Sequence, residues 1–503
     1  MSDRERLTSV VRVVVGALLL GAAALAYHRV FIFHDAGTYY LYGQHIVSEF
    51  VAVAKYDRAA IISLGEAAQD YAGARSPSYS LMFFVLTRTL TLWGAMAVQA
   101  LAASWLILTL TRAIAPSRRR VAYWVVVAGL TLGSSLSYFV SYAMPDVFGG
   151  LGVLALVALL VFPDRPGRGE RACLTLMLAA AASFHPTFPP ILIAAAAAWG
   201  IATSVLEASS RPAAGRLAPF LSVCVAIAAG ALSGPLYREV ERRVFQHPIA
   251  APPFLMARLL EDGPAVAYLT EACALGTPYA LCRVVLRPPI DSDSFLWNED
   301  ANGVYQVVTP TTRRALREEE LRFALGTIRS RPREQIAVSL RNWRRQLLQH
   351  QVFEQLLDPK TQSSYRLFEI TGSRPGVARS HAWEPVLQGL RTGVLVAAMV
   401  VLAGFFVIAG RSGGEGREGR RIQVVVAVVV AAVLVNAAIC GIVSKPWPRY
   451  AARIVWLIPA ASLMLAFHPV IWEALTHAWT RWRGNRRTPG GESPRVRGGL
   501  PAS

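Results

Sequence analysis

Composition separates this chain from ordinary soluble proteins. It has 503 residues, of which 54% are hydrophobic, and its mean hydropathy is +0.39, which is too apolar for a soluble protein of this length. The formal net charge of +19 suggests nucleic-acid binding, but the long polar segment 235–388 is nearly balanced, with 20 basic and 17 acidic residues. Because the basic excess lies in short stretches between apolar runs, it indicates membrane topology and no nucleic-acid partner.

Ten apolar runs have about the 20-residue length that a helix needs to cross a bilayer. In chain order they lie at 8–27, 93–112, 121–140, 146–162, 172–188, 189–207, 217–234, 388–410, 422–441 and 450–468. The first run lacks a clear small-residue cleavage site, so we interpret it as an anchor and not as a signal peptide. Because strand patterns are scarce, the sequence predicts an all-α polytopic membrane protein with about ten transmembrane helices.

Arginine-rich stretches follow alternate spans. They are "SDRER" near the N terminus, 111–120, 163–171, 207–216, 411–421 and 481–487. Ten spans put all six stretches on one side of the membrane, which the positive-inside rule makes the cytoplasmic side. We therefore expect an integral protein of the bacterial inner membrane with both termini in the cytoplasm. Membrane lipids are therefore among its expected partners.

This topology divides the chain into four parts. Residues 1–234 form a transmembrane module that includes an extracytoplasmic loop at 28–92, and residues 235–388 form an extracytoplasmic, mainly helical domain. The C-terminal transmembrane helices occupy 389–470, and 471–503 is predicted to be a disordered cytoplasmic tail. Inside the first loop, 40–54 has the spacing of an interfacial amphipathic helix, and 75–90 predicts a half-buried helix before the second span.

The polar domain contains one clear helical pattern, from Thr311 to about Phe353. Pro332 suits the first position of a second helix, so the simplest interpretation is a helical pair that rests on the membrane surface. Five side chains are expected to line one face of the first helix: Leu316, Leu321, Phe323, Leu325 and Ile328.

The five cysteines predict one disulfide. Cys273 and Cys282 lie nine positions apart in the extracytoplasmic segment, where an oxidising compartment favours a bond between them. Cys173, Cys224 and Cys440 lie in or beside predicted spans, where we expect them to be small buried apolar residues. Their spacing does not resemble a zinc site, so no metal site is predicted, and a need for a divalent metal stays open.

Ionisable side chains occur at the extracytoplasmic ends of several spans. Charges at membrane depth are costly and usually have a partner or a function. Arginine grips phosphate in a bidentate fashion, and a carboxylate can act as a general base. The candidate catalytic residues are Asp35 and Asp146, and the candidate substrate-binding residues are His34, Arg75, His185, Lys445, Arg449, Tyr450 and Arg453.

Four motifs in register resemble the GT-C superfamily of membrane glycosyltransferases, which use polyprenyl-phosphate sugars. They are Asp35 in "HDAGTYYLYGQ", the helix "RSPSYSLMFFVLTRTL", Asp146 in "MPDVFGG" and the late span "RYAARIVWLIPAASL". The resemblance covers 1–235 and 388–470, whereas the domain 235–388 matches no motif of the family. It implies transfer of a sugar from a polyprenyl-phosphate donor to an acceptor hydroxyl on the extracytoplasmic side. The donor sugar and the acceptor (a glycan, a lipid or a protein) remain undetermined.

The resemblance implies a separate role for each candidate residue in this reaction. Asp35 would deprotonate the acceptor, and Asp146 would orient the acceptor or a neighbouring cation. Arg449 and Arg453, one helical turn apart, would hold the leaving phosphate together with Lys445 and Arg75. A single displacement through an oxocarbenium-like transition state would invert the anomeric centre.

Each candidate also has a structural interpretation. Asp35 and Asp146 could cap helices, and Arg449 and Arg453 could extend toward lipid phosphates. His185 and His34 could be turn residues, and Tyr450 could belong to the interfacial aromatic belt. At the level of function, the alternatives are a secondary transporter or lipid flippase, and a non-catalytic membrane scaffold.

Overall fold

The structure, a computed structural model, describes residues 3–55, 75–206, 214–245, 251–300, 303–352, 383–411 and 416–486. Within these ranges the chain is helical and contains no β-sheet, so the predicted all-α class is confirmed. The α-helices are α1 (Asp3–Leu20), α2 (Ala22–Ala26), α3 (His34–Ala54), α4 (Pro77–Ile114), α5 (Arg119–Gly133), α6 (Leu136–Ser141), α7 (Val147–Leu160), α8 (Arg168–Phe184), α9 (Phe188–Leu206), α10 (Ala214–Phe245), α11 (Phe254–Asp262), α12 (Pro264–Ala274), α13 (Ser292–Trp297), α14 (Pro310–Ser330), α15 (Pro332–Leu348), α16 (Glu384–Arg411), α17 (Arg417–Ala438), α18 (Pro448–Val455), α19 (Leu457–Leu465) and α20 (Pro469–Arg486).

Among the described residues, five helices are long and apolar enough to cross a membrane. They are α4, α9, most of α10, α16, and α17 together with the π-helical turn Ile439–Val443 that follows it. A sixth span results if Pro448–Leu465 and Pro469–His477, which bend by 65° where they meet, are counted together. These helices fit an integral membrane protein. The total of ten spans stays a prediction.

Three of the predicted spans are short or broken in the structure. The run 121–140 divides into α5 and α6 because Ser134 has extended backbone, and the run 450–468 divides into α18 and α19 at Trp456. The run 146–162 forms only α7, whose 14 residues extend about 21 Å. That length is less than the hydrocarbon thickness of about 30 Å.

Helix α7 lies at the centre of the bundle. All its residues are buried, and it contacts α4, α8, α9, α10, α17 and α18. Its first turn is tightly enclosed, because a Cβ at Gly150 would lie 2.3 Å from the Trp456 ring. The side chain that opens α7 is therefore surrounded by protein.

The described parts of the first predicted loop, together with the second predicted span, form two long helices. Helix α3 contains the predicted helix 40–54, and α4 joins the predicted segments 75–90 and 93–112 into one helix. A kink at Thr91, whose φ of 64° is unusual for a β-branched residue, marks the expected boundary. Residues 56–74 of the predicted loop lie outside the described residues.

Helices α11 to α14 form a separate hydrophobic core. The predicted apolar face of α14 is only partly correct. Leu316 and Phe323 are fully buried, whereas Leu321, Leu325 and Ile328 are 66%, 40% and 43% exposed. The expectation that all five share the inner face was therefore wrong.

Hydrogen bonding explains why α14 buries a different face from the one predicted. The carboxylate of Glu319 is buried and accepts backbone N–H groups from Ala280 at 2.8 Å and Leu281 at 3.2 Å. Satisfying these buried donors turns the glutamate face inward, and the face with Leu321 then points outward.

The cysteines follow the prediction in part. Cys273 and Cys282 form a disulfide, with their Cα atoms 5.6 Å apart. Cys440 is buried and Cys224 is half-buried, but Cys173 is exposed. The expectation for Cys173 was wrong because the residue lies on the outer face of α8.

Two predicted boundaries fall inside helices. Helix α10 continues past Pro235 to Phe245, so the division between 234 and 235 does not coincide with a break in the backbone. Helix α20 ends at Arg486, so the first part of the predicted tail 471–503 is helical. Residues 487–503 lie outside the described residues.

Candidate functional site

Asp146 is the buried centre of the candidate site. It immediately precedes α7, and it is 1% exposed. Its two carboxylate oxygens accept from Arg449 at 2.8 Å and from Arg453 at 3.4 Å. Since no side-chain cap bond is formed to α7, the carboxylate serves the two arginines and the capping interpretation is not supported.

Helix α18 presents both arginines on one face. Pro448 occupies its first turn, and the four-residue spacing places Arg449 and Arg453 one turn apart on that face. Both side chains are buried and both reach Asp146. They therefore do not extend toward lipid phosphates.

Arg453 is fixed by three further groups. Its guanidinium donates to Asn436 Oδ1 at 3.1 Å and to Thr187 Oγ1 at 2.8 Å, and it lies 3.3 Å from Cys440 Sγ. These partners come from α17, its π turn and the residues before α9. Fixed on all sides, Arg453 is a rigid part of the site.

Asp35 lies in the first turn of α3 and completes the cluster. Its carboxylate accepts from Arg75, which precedes α4, and from Arg449 at 3.4 Å. Arg449 thus bridges Asp35 and Asp146. The side chain of Asp35 is 19% exposed, so it is the carboxylate of the pair that a substrate can reach.

Guanidinium groups outnumber carboxylates among the described members of the cluster. Two carboxylates, Asp35 and Asp146, meet three guanidinium groups, Arg75, Arg449 and Arg453. Because guanidinium groups bind anions such as phosphate through paired N–H donors, this composition suits an anionic ligand.

Aromatic rings surround the guanidinium groups. Phe33 lies 4.1 Å from the Arg449 guanidinium, Tyr39 lies 5.5 Å from that of Arg75, and Phe188 and Tyr450 each lie 5.1 Å from that of Arg453. These distances are typical of cation–π contacts. Tyr450 therefore lines the site.

The two histidines have different outcomes. His185 joins the cluster indirectly, because its Nδ1 lies 2.8 Å from Thr187 Oγ1, which in turn contacts Arg453. His34 opens α3, but its side chain lies outside what the structure describes, so its candidate role stays a prediction.

Lys445 does not join the candidate site. It forms ion pairs with Asp291 and, at 3.0 Å, with Asp293 near α13. Burial opposes the charge on Asp291, but its hydrogen bonds with Lys445 and Ser294 outweigh this and lower its pKa. Burial likewise opposes the charge on Lys445, and Asp291 and Asp293 raise its pKa. Lys445 therefore connects the polar domain to the helix bundle.

The sequence provided no motif for several site residues. Phe33, Thr187, Phe188 and Asn436 contact the arginines, yet each lies in or beside an apolar run without a motif of its own. A polar Asn436 inside the 422–441 run was the one available signal, because an amide at membrane depth needs a partner.

A second buried polar cluster connects α3 with α10. Glu49 accepts from Tyr237 at 2.6 Å and lies 2.8 Å from His45, and Glu241 accepts from Tyr42 at 3.0 Å. Within the described part of the chain, Oε2 of the buried Glu241 has no hydrogen-bond partner. No arginine balances this cluster through a described ion pair, in contrast to the aspartate cluster.

Comparisons with family models, with curated proteins and with solved structures find no match to this chain. The described residues also contain no group of three or more His, Cys, Asp or Glu side chains arranged to hold a metal ion. The aspartate–arginine cluster is the feature of the described residues that bears most directly on function.

Proposed function

We propose that this protein is a membrane glycosyltransferase of the GT-C type, which moves a sugar from a polyprenyl-phosphate donor to an acceptor hydroxyl. Its reaction would take place on the extracytoplasmic side of a bacterial inner membrane, with domain 235–388 on that side and both termini in the cytoplasm. The distribution of arginine-rich stretches supports this orientation. Long apolar helices beside the site would receive the lipid chain of the donor.

The observation that carries the proposal is a cluster in which three guanidinium groups meet one reachable carboxylate, Asp35, and one buried carboxylate, Asp146. A polyprenyl phosphate is an anion, and guanidinium groups bind phosphate oxygens through paired N–H donors. Arg75 and Arg449 both contact the partly exposed Asp35. The donor phosphate can take over these donors and so release Asp35 from its ion pairs.

The proposed step is a single displacement. The acceptor oxygen forms a bond to the anomeric carbon as the bond from that carbon to the phosphate oxygen breaks. The departing electron pair leaves with the polyprenyl phosphate, whose charge Arg75 and Arg449 stabilise. The hydroxyl proton passes to Asp35, and the anomeric configuration inverts.

Asp146 has a positioning role in this proposal. It is almost inaccessible, and its oxygens are used by Arg449 and Arg453. It therefore holds the arginines in place without touching the acceptor. Asp35 and Asp146 should accordingly respond differently to substitution.

The test uses the full-length protein in lipid nanodiscs with radiolabelled polyprenyl-phosphate sugars and extracted envelope acceptors. We expect transfer by the wild type, and a loss on the order of 10²-fold or more in Asp35→Asn if the general base is removed. Asp300→Asn, which neutralises an exposed carboxylate in the polar domain, is the matched control. Full activity of folded Asp35→Asn would refute its role, and no transfer with any donor would refute the proposal.

A second candidate function, a proton-coupled transporter, is favoured by the Glu49–Glu241 cluster. Buried carboxylates and histidines are typical of proton pathways in membrane proteins, and Oε2 of the buried Glu241 has no hydrogen-bond partner among the described residues. In proteoliposomes, a transporter would carry protons in response to a pH gradient, and Glu241→Gln would abolish this flux. Sugar transfer that continues unchanged in Glu241→Gln, without any flux in the wild type, would reject this candidate.

A further inference from the structure

Helix α15 has an inverted polarity for a helix in a water-facing domain. Its buried side chains are Gln335, Asn342 and Gln346. Asn342 donates to Asp262 at 2.8 Å, and Gln346 donates to the Trp447 carbonyl at 2.9 Å and accepts its N–H at 2.8 Å. The polar face of α15 is therefore bound to protein.

The other face of α15 is apolar and exposed. Ile336 and Leu340 are 59% and 54% exposed, and Leu347 lies on the same face by its spacing. Arg333 and Arg344 flank this face on the helical projection and are exposed. Among the described residues, neither guanidinium has a carboxylate partner.

The position of α15 relates this face to the membrane. Trp343 donates to the Leu434 carbonyl of α17 at 3.1 Å, and a Cβ at Gly441 would lie 2.8 Å from the Asn342 carbonyl oxygen. His350, just after α15, lies 3.1 Å from Thr392 near the start of α16. Thus α15 lies at the ends of two candidate membrane spans, α16 and α17.

Trp343 links the apolar face of α15 to α17. By helical spacing Trp343 lies on the same face of α15 as Ile336 and Leu340, and its indole donates to the Leu434 carbonyl. Leu434 and Val443 of α17 and its π turn are exposed apolar residues, and side chains of a spanning helix that face away from the bundle contact lipid. We therefore expect Ile336 and Leu340 to face the same medium.

We propose that α15 is an interfacial helix that binds anionic phospholipids. Its apolar face enters the boundary between head groups and acyl chains, as amphipathic helices do to a depth of about 5–10 Å. Arg333 and Arg344 extend from this depth to the lipid phosphates. The helix thereby holds the polar domain on the bilayer beside the site, independently of which reaction the site performs.

The depth of α15 in the bilayer is tested with a fluorophore attached to the cysteine of Ile336→Cys. The comparison is a fluorophore at Arg345→Cys, on the opposite side of α15. Both are made in the full chain with Cys173→Ser and Cys224→Ala, in nanodiscs that contain acyl-chain quencher lipids. We expect quenching at position 336 at least several-fold stronger than at 345. Equal quenching at both positions, or shielding of 336 by a second copy in a dimer, would overturn the proposal.

Lipid selectivity is tested by the association of spin-labelled phosphatidylglycerol and phosphatidylcholine with the reconstituted protein. One arginine near a lipid surface contributes about five-fold in affinity for an anionic lipid, so R333Q/R344Q should lose most of the preference for phosphatidylglycerol. The matched control R314Q/R329Q removes the same charge from α14 and should keep it. An unchanged preference in R333Q/R344Q, or an equal loss in both variants, would overturn the lipid assignment.

Discussion

Substitutions of the two aspartates in the cluster should affect stability and activity differently. Asp146→Asn keeps the shape of a fully buried side chain and removes its charge. The change leaves the buried guanidinium groups of Arg449 and Arg453 without their shared counter-ion. Asp35→Asn removes the same charge from a side chain that is 19% exposed.

The expected magnitudes follow from burial. Breaking a buried ion pair by removing one partner costs about 3–5 kcal/mol, and Asp146 is 1% exposed with both oxygens bonded to arginine. A solvent-exposed pair contributes only about 0–1 kcal/mol, and Asp35, at 19% exposed, lies between these two cases. Because solvent partly reaches Asp35, and Arg449 keeps its shorter bond to Asp146, Asp35→Asn should cost less than Asp146→Asn.

The assay is equilibrium unfolding of the purified variants by titration with a denaturing detergent, in parallel with the sugar-transfer assay. We expect Asp146→Asn to lower the free energy of unfolding by about 3 kcal/mol or more. Asp35→Asn should lose clearly less stability than Asp146→Asn but lose transfer, and Asp300→Asn should keep both. Equal stability losses in Asp35→Asn and Asp146→Asn would refute the assigned division between a reachable base and a buried positioning residue.

Three further predictions concern the parts that surround the site. Reduction of Cys273–Cys282, or Cys282→Ser, should lower the free energy of unfolding by about 2–3 kcal/mol, because the bond closes a short loop in the unfolded chain. Lys445→Met should cost at most about 1 kcal/mol, since the pair with Asp291 is partly exposed. The pair's contribution to the free energy of unfolding should be complete between about pH 4 and about pH 10, the pKa values of the two groups in the unfolded chain. It should decrease at more acidic pH, where Asp291 with its lowered pKa is protonated. It should also decrease at more alkaline pH, where Lys445 with its raised pKa loses its proton. Gly441→Ala should cost about 1–3 kcal/mol, because its Cβ would overlap the backbone of α15.

Unfolding curves recorded with and without reductant, and across pH, test these three predictions. A reductant effect that persists in Cys282→Ser would contradict the assignment to the disulfide. A pH profile for Lys445→Met identical to that of the wild type would contradict the pair with Asp291. Unchanged stability of Gly441→Ala would mean that α15 does not pack closely on the π turn.

The helices were predictable where apolar content and local signals agree. Helices α8, α9 and α16 match the runs 172–188, 189–207 and 388–410 within a few residues. Pro332 begins α15 as expected, because proline lacks the N–H that the first turn does not use. The breaks at Ser134 and Trp456 were not predictable from hydropathy, because the mean hydropathy of each run stays high across these residues.

The site was predictable as a set of residue types and only partly as a set of contacts. Charges at membrane depth are costly, which predicts a partner or a function for Asp35, Asp146, Arg449 and Arg453. The structure brings these four side chains together. Lys445 met the same criterion, but it pairs with acidic residues of the polar domain. Lys445 is four residues from Arg449 in the sequence. It lies in the loop before α18, however, so its side chain does not share the helix face of Arg449 and reaches Asp291 and Asp293 instead.

Hydropathy and charge were sufficient to predict an all-α membrane chain with a polar domain and a group of ionisable residues worth testing. Those properties depend on composition and local spacing, which the order of residues specifies directly. Which carboxylate is buried, which is reachable and which cation bridges them depends on α3, α7 and α18, which are more than 90 residues apart in the chain. Only their packing around α7 decides that Arg449 joins Asp35 to Asp146, because such contacts come from the folding of the whole bundle.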